Sequence, residues 1–252
     1  MVRNEARLVV WICIISAGGN AQRLKSDAFL AAIEAIKHSV GSMDCLAVNG
    51  TEAKLLKRIA TAFLVSDSGD FLTAAHVLED MRHGDDSCPT PAITLAMGDW
   101  RPEAATEKML WFPFETANCK IQGNLDIAAC KPSGSLQARI RKSIKVTPVQ
   151  FEWNTQADGA QLAFTGFPLE ARDPMTFRAY VAAYRILTAG EPTTELILDH
   201  ASLPGFSGSP VYTADGKVVA ILTKDGKPEA PGISIARPIS AIRDMITTSS
   251  AK

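Results

Sequence analysis

Residues 61–78, TAFLVSDSGDFLTAAHVL, decide the reading of the fold. Two short apolar runs, TAFLV and FLTAA, are split by the turn residues Ser66 to Asp70, and the second run delivers His76 at its end. Short apolar and β-branched runs bounded by Gly, Asp and Ser read as strands joined by turns. The same grammar repeats outward: AITLAM before GDW, LDIAAC before KPSGS, QLAFTGF before PLEARDP, and GISIARPIS up to the closing segment. SPVYT and KVVAILT flank Ala214-Asp215-Gly216 and read as a hairpin. With no long helical pattern between these runs, the chain is expected to be all-β, in barrels or a sandwich.

Two short helices frame the strands. Behind Ser26 and Asp27, the positions Phe29, Leu30, Ile33, Ile36 and Val40 recur at three- and four-residue spacings, which predicts an amphipathic N-terminal helix. SAIRDMI predicts a closing helix. His76 is expected to enter a turn, VLED, and a link between two β units is expected within residues 132–148, where KPSGS and RIRKSIK dilute the apolar pattern.

Hydrophobic residues make up 46% of the 252, enough to bury one sizeable core or two fused small ones, so a disordered chain is excluded. The 26 basic and 27 acidic residues nearly cancel, so no net field draws in nucleic acid or an anionic membrane, and recognition must be local.

The first residues, MVRNEAR, place Arg3 and Arg7 before the apolar run Leu8 to Ile15, and the small residues SAGGNA follow. This is the pattern of a secretory signal, with residues 1–21 removed after Ala21. The apolar run is too short to anchor stably across a hydrocarbon core of about 30 Å, so the mature chain is expected without a membrane span, secreted or periplasmic. Cys13 leaves with the leader. Cys45, Cys88, Cys119 and Cys130 remain as an even set, which predicts two disulfides of open connectivity. Their spacings do not match paired CxxC ligands, so no metal site is expected.

The stretch PGFSGSP, residues 204–210, sets Ser207 between glycines just before a strand. Gly205 allows a tight turn that brings its N–H beside that of Ser207, and two such donors can hold an oxyanion. Gly208 is expected to leave the space above the hydroxyl open. The G-x-S-x-G elbow would need glycine at 209, where this chain has Ser209. A serine hydroxyl needs a base and a group that orients the base. His76 at a strand end and Asp126, which opens the apolar run of GNLDIAAC, supply both types. Taken singly, His76 could be a satisfied barrel-end histidine and Asp126 a turn cap. Together, a carboxylate at His76 Nδ1 would fix the tautomer that leaves Nε2 to accept the serine proton. His38 falls in the predicted helix, His83 in a charged turn, and His200 only a few residues before Ser207. Asn49-Gly50-Thr51 matches a glycosylation sequon and equally a turn.

TAAH, DIAAC and GFSGSP, in the order His, Asp, Ser, resemble the chymotrypsin-like, or trypsin-fold, serine peptidases. Residues 61–78 and the run from Asp199 to Thr223 are most similar to bacterial periplasmic peptidases of the high-temperature-requirement type, over about residues 59–245. The resemblance implies two six-stranded antiparallel barrels, about 59–135 and 145–245, with His76, Asp126 and Ser207 in the cleft between them. The domain would run over 59–252, preceded by a helix and lead-in at 22–58, with no PDZ domain expected. It also implies that Ala201 and Thr223 line the S1 pocket. Neither is charged, so small or medium apolar residues are expected at P1. Phe206 stands where activated trypsins carry the aspartate that pairs with a new N-terminus, and no IVGG-like start is present, so that activation is not expected.

The function expected is hydrolysis of peptide bonds in protein or peptide substrates through an acyl-enzyme, with no cofactor and no metal. The rival is a catalytically inactive binding protein of the same fold, against which the complete trio argues. An esterase-like hydrolase would use the same serine on other substrates.

Overall fold

The computed structural model describes residues 27–50, 52–83, 88–97, 108–134, 146–187, 193–225 and 232–247. The expected leader, residues 1–21, and most of the expected link lie outside the described residues. Helix α1 (Ala28–Lys37) comes first, capped by Asp27, whose carboxylate accepts the Phe29 N–H at 3.0 Å. It buries Phe29, Ala32 and Ile36, and the two large side chains contribute about 2 kcal/mol each to its docking. The helix stops at Lys37, short of the periodicity that reaches Val40, because Val40 is already paired with Phe63.

The first sheet begins at Val40. It comprises β1 (Val40–Asn49), β2 (Glu52–Leu64), β3 (Phe71–Ala74), β4 (Thr90–Met97), β5 (Lys108–Pro113), β6 (Lys120–Gln122) and β7 (Ile127–Cys130), ordered β5-β4-β1-β2-β3-β7-β6. Its edges do not meet among the described residues, so it forms a half-barrel. Gly50, with φ 62°, turns the tip between β1 and β2, which is the turn reading of the sequon. The second sheet comprises β8 (Gln150–Phe151), β9 (Gln161–Gly166), β10 (Met175–Leu187), β11 (Thr193–Leu198), β12 (Pro210–Tyr212), β13 (Lys217–Asp225) and β14 (Ser234–Pro238). Six of these, β12-β9-β10-β11-β14-β13, close into an antiparallel barrel through the β12–β13 hairpin, and β8 adds parallel to β13. The expected trypsin-like double-barrel architecture is therefore present, mostly β and flanked by helices.

The run read as the turn VLED is instead the start of helix α2 (Ala75–His83), which buries Ala75, Val77, Leu78 and Met81. The closing segment is a 3-10 turn, Ile239–Ile242, followed by α3 (Arg243–Thr247). Cys45 is bonded to Cys88 and Cys119 to Cys130, so the four sulfurs form two disulfides within the half-barrel region.

One core fills the half-barrel around Met43, Phe71 and Leu78, and another the closed barrel around Phe164, Leu198 and Phe206. A third joins the two sheets, where α1 meets Phe63, Ile127, Phe167, Tyr212 and the closing residues Ile239, Ile242 and Ile246. Tyr212 is fully buried there, its hydroxyl 2.8 Å from Thr165 Oγ1. Burial pushes its phenol up to about 12, outweighing the pull of the threonine hydroxyls toward the phenolate. The unfolded chain releases this proton near its ordinary value of 10, so the contribution is complete below that pH and is lost as pH rises through about 12. The difference corresponds to roughly 3 kcal/mol. Denaturant melts from about pH 9 to pH 12 are expected to show a steeper alkaline loss for wild type than for Tyr212→Phe. Parallel losses would show that Tyr212 does not carry the alkaline limb.

Candidate active site

β3 runs into α2 without a break, which puts His76 on the first turn of a helix rather than in a loop. The first N–H groups of a helix have no partner within it. Asp126, carried by the 3-10 turn Gly123–Leu125, supplies partners from a distant part of the chain: its carbonyl accepts the Ala75 N–H at 3.0 Å and its Oδ1 accepts the His76 N–H at 2.9 Å. To do so it takes the left-handed conformation, φ 56° and ψ 43°, which Asp tolerates better than most side chains. Asp126 thus caps helix α2 from a distant part of the chain, and its Oδ2 remains to meet His76 Nδ1 at 2.8 Å.

An ionised carboxylate only accepts, so the proton of that bond sits on Nδ1 and His76 Nε2 keeps its lone pair. Nε2 lies 3.0 Å from Ser207 Oγ. The His76 side chain is 35% exposed against 12% for Asp126, so the imidazole reaches solvent and the carboxylate behind it scarcely does.

Ser207 sits on a turn pinned to both sheets. The Thr61 N–H donates to Ser207 O at 3.0 Å, the Thr61 hydroxyl to Gly205 O at 2.8 Å, and the Gly208 N–H to Leu222 O at 2.7 Å. Gly205 has φ 98°, and a Cβ there would stand 2.4 Å from Phe167 O. The N–H groups of Gly205 and Ser207 donate to no other group among the described residues. Gly208 has a different cause from the expected open space above the hydroxyl. Its φ is 86°, and a Cβ would meet Thr61 O at 2.1 Å and Thr73 Oγ1 at 2.5 Å, so glycine is needed for the turn to approach β2 and β3. Phe206 is fully buried edge-to-face against Phe164, with centroids 5.1 Å apart. An apolar anchor holds the turn where activated trypsins use an ion pair.

The structure therefore brings His76, Asp126 and Ser207 into one hydrogen-bonded line and leaves the other histidines elsewhere. His38 ends α1, His83 ends α2, and the His200 ring packs on Phe177. Ala201 is partly exposed, whereas Thr223 is fully buried with its hydroxyl donating to Ile235 O at 3.4 Å. Arg237, which belongs to none of the motifs above, also supports the site: its Nε donates to Leu125 O at 3.2 Å, just before Asp126. Its Nη1 pairs with Glu195 Oε1 at 3.1 Å, and Glu195 Oε2 takes Arg185 Nε at 2.9 Å. A charge inside each of the apolar runs GISIARPIS and TTELIL is the signal that could have marked this pair.

The profile of the trypsin-like peptidase domain matches residues 60–221. The chain belongs to the trypsin-like peptidase family. Among solved structures, this trypsin-like peptidase is similar to the active form of the Rv3671c protease from M. tuberculosis, at 14% identity and a TM-score of 0.61, covering 88% of this chain and 85% of that one. It is also similar to the HtrA-type protease AlgW, solved with a decapeptide, at 14% identity and a TM-score of 0.64, covering 87% of this chain and 66% of AlgW. No curated protein matches the trypsin-like peptidase. At such identities the likeness is one of fold, and the chemistry rests on the residues above.

Proposed function

We propose that this trypsin-like peptidase is a serine endopeptidase, exported to the periplasm or secreted, with Ser207 as nucleophile, His76 as general base and Asp126 as the group that orients His76. The observation that carries this is the unbroken line from Asp126 Oδ2 to His76 Nδ1 and from His76 Nε2 to Ser207 Oγ. Ser207 Oγ attacks the scissile carbonyl carbon as Nε2 takes its proton, and the carbonyl oxygen becomes an oxyanion at the N–H groups of Gly205 and Ser207. The imidazolium returns the proton to the leaving amine, and water releases the acyl group by the reverse sequence. Neither a metal nor a cofactor enters these steps. By the resemblance Ala201 brings no charge to the S1 wall, and Thr223 is neutral and fully buried, so small or medium apolar P1 residues are preferred. The two disulfides and the leader-like residues 1–21 support export. No helix among the described residues is long and apolar enough to cross a membrane.

A fluorophosphonate probe tests the assignment. Wild type is expected to be labelled and Ser207→Ala to stay blank. Equal labelling of both would remove Ser207 from its role, and no labelling of either, in protein that melts cooperatively, would favour a binding protein of the same fold.

A further inference from the structure

Resting on the role of Ser207 given above, we propose that Arg58 is a positioning residue for the oxyanion turn, acting from the half-barrel through the segment Phe167–Ala171. Arg58 lies on β2, directly across from Asp44 at a bulge in the β1–β2 pairing. Its Nε donates to Asp44 Oδ1 at 3.1 Å, and the Thr94 hydroxyl donates to Asp44 Oδ2 at 2.6 Å, so both carboxylate oxygens are engaged. The pair is 7% and 0% exposed. The rest of the guanidinium faces the other sheet. Nη1 donates to the carbonyl of Ala171, and the guanidinium carbon lies 5.4 Å from the centre of the Phe167 ring. Arg58 therefore grips both ends of one short segment that follows β9.

That segment closes one hydrogen bond of its own, from the Ala171 N–H to Pro168 O at 2.8 Å, around a strained bend. Leu169 and Glu170 are consecutive left-handed residues, φ 52° and 59°, and neither is glycine. Such a conformation costs roughly 1–2 kcal/mol per residue. Leu169 is 65% exposed, so burial of its own side chain does not repay the strain. External contacts do: the Phe167 N–H donates to Thr61 Oγ1 at 2.9 Å at one end, and Arg58 holds Ala171 at the other.

The product of the bend is a donor aimed at the catalytic turn. The Leu169 N–H reaches Pro204 O at 2.8 Å, in the peptide immediately before Gly205, and Phe167 O fills the space a Cβ on Gly205 would need. A buried ion pair gives little stability that a packed apolar pair could not match. What this one supplies is direction, by fixing the carbonyl at the end of a strained bend.

Arg58→Lys keeps a cation against Asp44 but cannot reach Asp44 and Ala171 together, and Asp44→Asn with Arg58→Met removes both charges at similar volume. Thr94→Val is the control, since it weakens the hold on Asp44 while leaving the Arg58–Ala171 contact. Amide hydrogen exchange across residues 203–208 is expected to accelerate about tenfold or more in both Arg58 variants and to stay at the wild-type rate in Thr94→Val. On a peptide amide, the Arg58 variants are expected to lose about ten- to a hundredfold in kcat with KM unchanged, less than the 10²–10³ that follows loss of a whole oxyanion donor. The carbonyl stretch of their acyl-enzymes should move toward that of a free ester. Wild-type exchange in both Arg58 variants, or equal acceleration in Thr94→Val, would overturn the proposal. Exchange decides the matter whether or not Ser207 reacts: acceleration in a protein that is never acylated would keep the positioning role and discard the peptidase reading.

Discussion

Ser207→Ala and His76→Ala are each expected to lower kcat on a peptide amide by about 10⁶, with the double variant scarcely worse than either single one. The reason lies in the geometry. Ser207 Oγ is a nucleophile only while Nε2 takes its proton, and that single contact is the 3.0 Å approach of the two atoms. Removing either end removes the whole step. What survives, about 10³–10⁴ over water, comes from the oxyanion donors and substrate binding, which these variants leave in place. Both side chains lie at the junction of the two sheets rather than deep in a core, so thermal melts should match wild type. A double variant that loses the product of the two single factors would show that the residues act independently and would break the proposed mechanism.

Asp126→Asn is expected to lower kcat by roughly 10⁴, the loss found for the equivalent exchange in a well-studied serine peptidase. Asparagine tolerates the left-handed conformation that residue 126 adopts, and its carbonyl can still accept the His76 N–H, so the fold and the α2 cap persist. Its amide then presents N–H to Nδ1. The imidazole responds by carrying its proton on Nε2, where no lone pair remains for Ser207. Acid has the same consequence by another route, because protonating Nε2 removes that lone pair, so activity should fall on acidification in wild type. The check is steady-state hydrolysis by folded Asp126→Asn. Turnover at the wild-type rate would mean that another carboxylate orients His76.

Much of the architecture was legible because its cues are local. Runs such as QLAFTG, PVY and KVVAILT carry turn residues at their ends, and β9, β12 and β13 lie where those cues put them. Helix α2 was not legible, since its cap is Asp126, far along the chain, and no Ser or Asp stands at its start. β10 was missed because Arg178 and Arg185 interrupt its apolar pattern, and β1 because it follows α1 inside what reads as a lead-in. The same division holds at the candidate site. The three residues of the hydrogen-bonded line are each marked by a local motif, whereas Arg58 and Arg237 matter through partners on distant segments, Asp44 and Ala171 for one and Leu125 and Glu195 for the other. No window of sequence contains such a pair.

The core shared by α1 and the closing residues sets a clock on how the protein is made. Phe29, Ala32 and Ile36 pack in one cluster with Ile239, Ile242 and Ile246, so an early-synthesised helix completes its burial only when a late-synthesised one arrives. At about 5–20 residues per second the stretch from Ile36 to Ile246 takes roughly 10–40 s to emerge. Throughout that interval α1 can rest on Phe63, Ile127, Phe167 and Tyr212 as they appear, yet part of its apolar stripe stays uncovered until Ile239, Ile242 and Ile246 join the cluster.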